Sequence, residues 1–300
     1  HITGHQRGEN IKLLGECGIE SIRRYIKPYF NGRDITQINR DVLAIDLDGL
    51  SEREVKTKFP EVYQHVFDNV KPERDQNREP YRRLNWWLHG RKNTDPRSSI
   101  NGLNRYIITP MTAKHRLFVF LEAEALPDQG LVSIALSNAN DLAVLSSRVH
   151  CIWALSQGGT LEDRPRYNNS RCFDPFPFPD LTDDLRNRLR ALGEDLDAHR
   201  KRQQAAHPKL TLTQMYNVLE KLRAGETIAG KDREIYDQGL IGILKDLHDQ
   251  IDAAVAEAYG WPNDLSDEDI LFRLVALNKE RAEEEARGHI RWLRPDYQNP

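Results

Sequence analysis

The chain has 300 residues, 39% of them hydrophobic, which is enough apolar side chain to bury a sizeable core in about two domains. Its net charge of -3 excludes a protein that coats nucleic acid with its whole surface. No run approaches the roughly 18 apolar residues of a membrane span, and no signal-peptide pattern opens the chain. The three cysteines form no CxxC pair, so we expect a cytoplasmic protein with free thiols and no membrane partner.

The first 70 residues alternate between helical and extended patterns. Asn followed by Gly predicts a tight turn, because both residues tolerate positive φ. A Ser-x-x-Glu sequence predicts a capped helix start, and a later proline predicts a second start. In chain order, the expected elements are a helix over Ile11–Ile26, a turn at Asn31-Gly32, a strand over Val42–Leu47, a helix capped by Ser51 and Glu54, and a helix from Pro60.

Residues 81–136 predict a sheet. Four β-prone runs are separated by Gly, Pro, Asn and Asp, which favours a mixed or antiparallel arrangement. A largely buried helix is then expected over Asp141–Leu155, with Gly158 and Gly159 as its stop. The four runs are Trp86–Leu88, Arg105–Ile108, Leu117–Leu121 and Leu131–Leu136.

A proline-rich segment, Arg164–Asp180, separates this region from plainly helical sequence. Its FDPFPFP string cannot form an interior helix or a central strand. Four amphipathic helices are expected beyond it, beginning at Leu181, after Thr211, at Leu240 and after Ser266. The sequence therefore predicts an α+β fold, with a mixed or antiparallel sheet and surrounding helices in residues 1–180 and an all-helical domain in residues 181–300.

Positive charge is concentrated within the predicted sheet region. Lys71–Phe120 holds eleven Lys and Arg against four Asp and Glu, interleaved with aromatic residues. Such a surface suits a polyanion that carries bases, with Lys and Arg meeting phosphates. Trp86 and Trp87 are expected in the core rather than stacked on bases. The predicted DNA-backbone contacts are Arg82, Arg83, Arg91, Lys92, Arg97, Lys114 and Arg116.

Signatures of a complete enzyme are missing from the sequence. No Gly-rich phosphate loop follows a predicted strand, and beyond His1 and His5 no histidine stands at metal-ligand spacing from a second His or Cys. We therefore expect neither a metal ion nor a catalytic residue in this chain.

Several motifs, in order, resemble the C-terminal region of MmeI-like single-chain restriction-modification enzymes. In that family an adenine-N6 methyltransferase domain is followed by a target-recognition domain and a helical C-terminal domain. The resemblance covers nearly the whole chain. It rests on YIKPYFNGRDIT, VLAIDLDGLSEREV, LNRYIITPMTAKHRLFVFL, LSSRVHCIWALSQGG, RYNNSRCFDPFPFP and RWLRPDYQ.

The family's catalytic motifs do not occur in this sequence. Its Asn-Pro-Pro-Tyr type motif and Gly-containing S-adenosylmethionine loop are absent, and no convincing PD-(D/E)xK set is present. The resemblance implies a reader of double-stranded DNA, not an enzyme on its own, that positions an upstream methyltransferase domain of the same parent polypeptide. S-adenosylmethionine would bind in that parent, with no cofactor in this chain. Because the first residue is His1, we expect a segment of a longer or processed polypeptide.

The resemblance also places the base-reading side chains within Thr160–Arg171. Carboxylates accept hydrogen bonds from cytosine, whereas Arg and Asn suit guanine and adenine edges. The predicted base-recognition residues are Glu162, Asp163, Arg164, Arg166, Asn168, Asn169 and Arg171.

Two other hypotheses about the function stay open at this point. The chain could be a helical scaffold whose basic patch binds an acidic protein, in which case it captures a protein partner and is indifferent to DNA. It could also be a stand-alone methyltransferase or nuclease, and binding of S-adenosylmethionine by this chain would favour that third reading. The sequence does not give the DNA site, the oligomeric state, or whether the parent enzyme also cleaves DNA.

Overall fold

The computed structural model describes residues 25–89, 94–161 and 164–299, with the backbone alone for residues 94–96. Its strands are β1 (Ile26–Phe30), β2 (Leu43–Ile45), β3 (Arg105–Pro110), β4 (Val119–Glu122), β5 (Leu126–Pro127), β6 (Leu131–Ile134), β7 (Thr160–Leu161) and β8 (Arg164–Pro165). Its helices are α1 (Gly32–Thr36), α2 (Glu52–Lys58), α3 (Pro60–Asn69), α4 (Lys71–Asp75), α5 (Pro80–Leu84), α6 (Thr94–Ile100), α7 (Ala139–Ser146), α8 (Arg148–Gly158), α9 (Asp183–Ala206), α10 (Leu212–Arg223), α11 (Lys231–Gly239), α12 (Ile241–Tyr259), α13 (Asp267–Ala286) and α14 (Pro295–Gln298).

The chain forms two compact units. Within the described ranges, no helix is both long enough and apolar enough to cross a membrane. Unit 1 comprises His1–Phe30, Arg40–Asn101 and Glu124–Leu126, and unit 2 comprises Asn31–Asn39, Gly102–Ala123 and Pro127–Pro300.

Unit 1 is built from short helices beside the antiparallel pair β1 and β2, in which Ile26 lies opposite Ile45. Its core is formed by Leu47, Val55 and Trp86, with neighbouring apolar residues of α2 and α3. The Ser51 and Glu54 capping box is present as predicted, and so is the helix start at Pro60. Both motifs could be predicted because they act within a few residues. The capping box provides hydrogen-bond partners for backbone N–H groups at the helix start, and proline has no N–H group that needs one.

Three predictions at this end of the chain need correction or lie outside the described residues. Asn31 does not form a tight turn with Gly32; its side chain accepts hydrogen bonds from the first amides of α1, in a capping box with Asp34. Trp86–Leu88 is not a strand but a turn after α5, because its apolar character serves the core, where Trp86 is buried. The helix predicted over Ile11–Ile26 falls almost entirely outside the described residues, and its last residue lies in β1.

Unit 2 contains an antiparallel sheet in the order β4-β3-β6. Ile107 of the central strand lies opposite Phe120 on one side and Ile134 on the other. The core includes Leu142 and Leu145, both fully buried, and each such side chain contributes about 1.5–3 kcal/mol by leaving water. All three predicted strands after residue 104 are therefore confirmed, as is the α+β class.

The helix predicted over Asp141–Leu155 is instead two helices, α7 and α8. They meet at Ser147, whose extended backbone ends the first, while its side chain accepts a hydrogen bond from the amide of His150 and caps the second. The periodicity of apolar residues continues across the break because both helices face the same core. Gly159, with φ of +71°, ends α8 as predicted.

The chain beyond residue 180 is helical, as predicted, but it contains one helix that the spacing of apolar residues did not predict. Helix α11 is short and largely polar, and it ends at Leu240, which adopts a left-handed backbone at φ of +45°. The predicted starts after Thr211 and Ser266 are confirmed by side-chain caps at both residues.

Polar contacts join these helices to the part of unit 2 that precedes residue 180. Arg200 is buried in α9 and donates to the carbonyl oxygen of Phe118 at 2.8 Å and to the hydroxyl of Tyr216. Tyr259 of α12 donates to the carbonyl of Pro177 at 2.8 Å, so the proline-rich segment lies against the helices. Buried hydrogen bonds of this kind are costly to break, because a buried donor or acceptor left without a partner lowers the stability by about 1–3 kcal/mol.

Candidate nucleic-acid interface

The segment Arg164–Phe173 overlaps Thr160–Arg171, the stretch predicted to read bases, and is called the reading segment after that prediction. Buried groups hold its backbone in place. The amide of Tyr167 donates to the carbonyl of Met111 at 2.7 Å, and the Tyr167 side chain is fully buried. The indole of Trp153 donates to the carbonyl of Cys172 at 3.1 Å. Since loops that display binding groups gain precision from a rigid backing, these contacts suit a surface that must present side chains in fixed positions.

Gly158 allows the segment to approach helix α8 closely. A Cβ atom at this position would lie 2.0 Å from the carbonyl oxygen of Arg166 and 3.1 Å from the sulfur of Cys172. Only a residue without a side chain fits there, because non-bonded carbon and oxygen atoms do not approach so closely. The Gly158 position thus sets the distance between α8 and the reading segment.

Exposure alternates along the start of the segment. Arg164 and Arg166 are exposed, while Pro165 is half-buried and Tyr167 is buried, the pattern of an extended chain with one face outward. Asn169 and Arg171 follow, both exposed. Among the residues that the structure describes, no hydrogen bond or ion pair engages the side chains of Arg166, Asn169 or Arg171, so their donors point to solvent.

A neutral histidine lies directly behind the segment. His150 is fully buried against Phe118 and Phe176, with its Nδ1 2.8 Å from the carbonyl oxygen of Leu145 and its Nε2 3.3 Å from the hydroxyl of Tyr167. These partners assign the proton to Nδ1, which leaves Nε2 to accept from Tyr167. Burial lowers the pKa of His150 to about 4 and raises that of Tyr167 well above its usual value.

The depressed pKa of His150 predicts a pH-dependent loss of stability. In the unfolded chain the ring binds a proton near pH 6.5, whereas in the folded chain it does so only near pH 4, so the free energy of unfolding falls as pH drops through this window. Between pH 7 and pH 4.5 the contribution is about 2 kcal/mol. Urea denaturation of the wild type and of His150→Gln measures it as a difference, in which the other titrating groups cancel.

The His150→Gln variant is expected to be less stable at pH 7 but to lose about 2 kcal/mol less on acidification. An identical pH dependence in both proteins would contradict the assignment of a buried neutral ring at residue 150.

Of the predicted backbone contacts, three described residues lie in unit 1. Arg82 pairs with Glu79 at 2.8 Å, and the exposed Arg83 donates to the carbonyls of Asn77 and Arg78. Arg97 is bound by two carboxylates, at 3.1 Å from Asp46 and 3.0 Å from Asp48. Arg91 and Lys92 lie outside the described residues.

Two more predicted backbone contacts lie in unit 2, in the turn before β4. The exposed Lys114 is 2.6 Å from the side-chain oxygen of Asn217 and 3.3 Å from Glu220. Arg116 is half-buried and donates to the oxygens of Thr109, Pro110 and Pro165. The structure therefore gives Arg116 internal partners that its place in a basic sequence did not indicate.

The predicted base-contact residues fall into two groups: one side chain bonds to the backbone of the segment, and the other described side chains are exposed. The side chain of Asn168 accepts from the amide of Arg171 at 3.0 Å and caps the following π-helical turn, Asn169–Phe173, so it shapes the segment. Arg164, Arg166, Asn169 and Arg171 face outward. Glu162 and Asp163 lie outside the described residues.

Sequence reasoning missed Leu161, which is 53% exposed and lies opposite Arg164 in the β7-β8 pair. Opposite residues in such a pair project from the same face. An exposed leucine beside an arginine offers an apolar contact of the kind that a thymine methyl group accepts. Its place in a short strand of otherwise polar sequence was the available signal.

Elsewhere in unit 2, one cavity of about 190 Å³ is lined by Arg148, Asp249, Asp252 and Trp261, with other residues of α12 and the loop after it. Burial raises the pKa of Asp252 to about 6. No glycine is among the described residues that line this cavity, so it lacks the Gly-containing loop that the resemblance associates with S-adenosylmethionine. Within the described ranges, no group of three His, Cys, Asp or Glu side chains could hold a metal ion.

Comparison with known sequences identifies the family. The family described as "MmeI, target recognition domain" matches residues 9–180, more than half of the chain. The chain belongs to the MmeI target recognition domain family. This confirms the resemblance to MmeI-like enzymes, and the reading segment lies within the matched range of the target recognition domain.

Two further proteins are similar to this target recognition domain chain. "DNA methyltransferase A" of Bacillus subtilis (strain 168) is 27% identical over 143 residues, which are 47% of this chain and 13% of that protein. A solved structure of the Type IIL restriction-modification enzyme MmeI in complex with DNA matches with a TM-score of 0.65 and 16% identity. It covers 92% of this chain and 33% of that one, so the chain spans only a minor part of either relative.

Proposed function

We propose that this chain reads a short DNA sequence for a restriction-modification enzyme that methylates adenine. The observation that carries the proposal is the reading segment, where Arg166, Asn169 and Arg171 are exposed on a backbone fixed from behind. Arg and Asn side chains make bidentate hydrogen bonds to guanine and adenine, and each discriminates against a wrong base by about 1–3 kcal/mol. Membership of a target recognition domain family and the DNA in the solved MmeI complex support the same conclusion.

Phosphate contacts supply affinity in this proposal, without choosing sequence. Among the predicted backbone contacts that the structure describes, Lys114 and Arg83 are exposed and suit this role. Salt weakens such contacts by restoring counterions to the DNA. In this proposal the DNA sequence is chosen by exposed side chains in and beside the reading segment, namely those of Leu161, Arg164, Arg166, Asn169 and Arg171.

We place the division of labour at residue 180, with recognition in residues 1–180 and bracing in residues 181–300. Methyl transfer, with S-adenosylmethionine as the methyl donor, belongs to another domain of the parent polypeptide in this proposal. The support is the absence of the family's catalytic motifs from the sequence and the similarity to a DNA methyltransferase. The chain by itself is then a DNA-binding protein without catalytic activity.

The test is a binding titration by fluorescence anisotropy, using the chain and, where it is part of a longer polypeptide, that polypeptide. Duplexes selected from a random pool are compared with scrambled duplexes of equal length. We expect preference for the selected sequence and an affinity that falls steeply between about 50 and 200 mM salt. Arg166→Ala should weaken selected duplexes by about tenfold and scrambled duplexes little, whereas Lys114→Ala should weaken both equally.

Failure to bind any duplex at low salt, in either form of the protein, would sink the proposal. The competing scaffold reading predicts that outcome together with capture of an acidic protein. Binding without any sequence preference would leave a nucleic-acid protein but remove its role as a reader.

A further inference from the structure

Arg116 is a basic residue that faces the interior side of the reading segment. One terminal nitrogen donates to the Thr109 hydroxyl at 3.0 Å and to the Pro110 carbonyl at 2.5 Å, both at the end of β3. The other donates to the Pro165 carbonyl at 3.2 Å, within the segment itself. The planar guanidinium thus ties the central strand of the sheet to the start of the segment.

The same guanidinium lies over the ring of Tyr167, 5.1 Å from its centre. Tyr167 is the fully buried anchor of the segment, so Arg116 contacts residues on both sides of the exposed Arg166. Burial lowers the pKa of Arg116, although an arginine remains charged under ordinary conditions. No carboxylate among the described residues forms an ion pair with it, and the neutral oxygens and the ring take that place.

We propose that Arg116 is a positioning residue for sequence recognition, which sets the place of Arg166 without touching DNA. This inference rests on the proposed function of the reading segment. Lysine could not replace it, because one ammonium group cannot match a fork that meets three oxygens in two chain segments. Recognition requires side chains to be placed within about 0.5 Å. If the Pro165 carbonyl lost its hydrogen bond, the neighbouring Arg166 would be less precisely placed against a base.

Salt dependence separates this role from a phosphate contact. Removing a phosphate contact weakens binding to every sequence and lowers the salt slope of log K by about one. Removing a positioning residue lowers discrimination between sequences and leaves that slope unchanged. Arg116→Gln tests both quantities in one titration series, and Arg116→Lys keeps the charge while losing the fork.

Thr109→Val provides a second route that does not alter charge. The Thr109 hydroxyl is fully buried and accepts from Arg116, and valine has nearly the same shape. We expect discrimination to fall about tenfold in Arg116→Lys and Arg116→Gln and about threefold in Thr109→Val. Unchanged salt slopes are expected in all three, and Lys114→Gln is the comparison that lowers the slope.

The full chain, within its parent polypeptide where there is one, is used throughout, and melting temperatures show that each variant is folded. The inference is overturned if Arg116→Lys and Thr109→Val discriminate as well as the wild type, or if Arg116→Gln lowers the salt slope by about one. A wild type that shows no discrimination would instead be a failure of the proposed function, which the wild-type titration alone reveals.

Discussion

Replacing Gly158 by alanine is expected to abolish sequence discrimination while leaving much of the nonspecific affinity for DNA. The added methyl group would meet the carbonyl oxygen of Arg166 at 2.0 Å, and backbone cannot swing aside as a flexible side chain can. The reading segment must therefore move away from α8 by more than the tolerance of a recognition site. We expect at least a tenfold loss of discrimination and about 1–3 kcal/mol of lost stability from the overpacking.

The comparison variant for this experiment is Gly32→Ala. Its new Cβ would have Pro110 as its nearest neighbour at 3.6 Å, which is ordinary contact, and Gly32 has no positive φ. This variant should bind and discriminate as the wild type does. If Gly158→Ala discriminates equally well, the reading segment does not depend on its distance from α8, and its rigid support is not part of recognition.

The second large effect is expected at Gly193, in the middle of α9. An added Cβ would lie 2.0 Å from the carbonyl oxygen of Ala139 and 2.8 Å from its carbon, at the start of α7. Both helices pack into the core of unit 2, so a shift of either helix would break its packing contacts with the rest of that core. We expect Gly193→Ala to lower the free energy of unfolding by about 3 kcal/mol or more, measured by urea denaturation.

Hydrogen exchange on the same variant tests whether the sheet and the later helices unfold together. Backbone amides of β3 and α12 should lose protection by similar amounts, because Arg200 and the α7-α9 contact join residues on both sides of position 180. Loss of protection confined to α9–α13 would show instead that the helices unfold independently of the sheet. A loss of less than about 1 kcal/mol would contradict the close helix contact at Gly193.

Local sequence signals were sufficient for much of the fold. The Ser51 capping box, the start at Pro60 and the strands around Ile107 were predictable, because each depends on neighbouring residues or on a simple alternation of apolar side chains. The break at Ser147 was not, because α7 and α8 bury residues in one core and their apolar pattern runs on without a gap. Trp86 was mistaken for strand because aromatic residues suit a sheet and a helical core equally.

The candidate site shows the same division. The resemblance placed Arg166 and Arg171 among the predicted base-reading residues, and both are exposed in the structure. The surroundings of other arginines depended on partners that are distant in the chain. Arg97 is bound by Asp46 and Asp48, about fifty residues away in the chain, and Arg116 by Pro165. A basic sequence reports the sign of a charge but not the group that it faces, so only the fold distinguishes an internal contact from a surface available to DNA.

A cycle between protein and DNA substitutions tests whether the reading segment chooses the DNA sequence. Affinities are measured for the wild type and Arg166→Ala with the selected duplex and with each single base-pair change, and the same set is measured for Arg171→Ala. We expect a coupling of about 1–3 kcal/mol between each arginine and one base-pair position, and almost none at the others. Additive effects at every position for both arginines would contradict it.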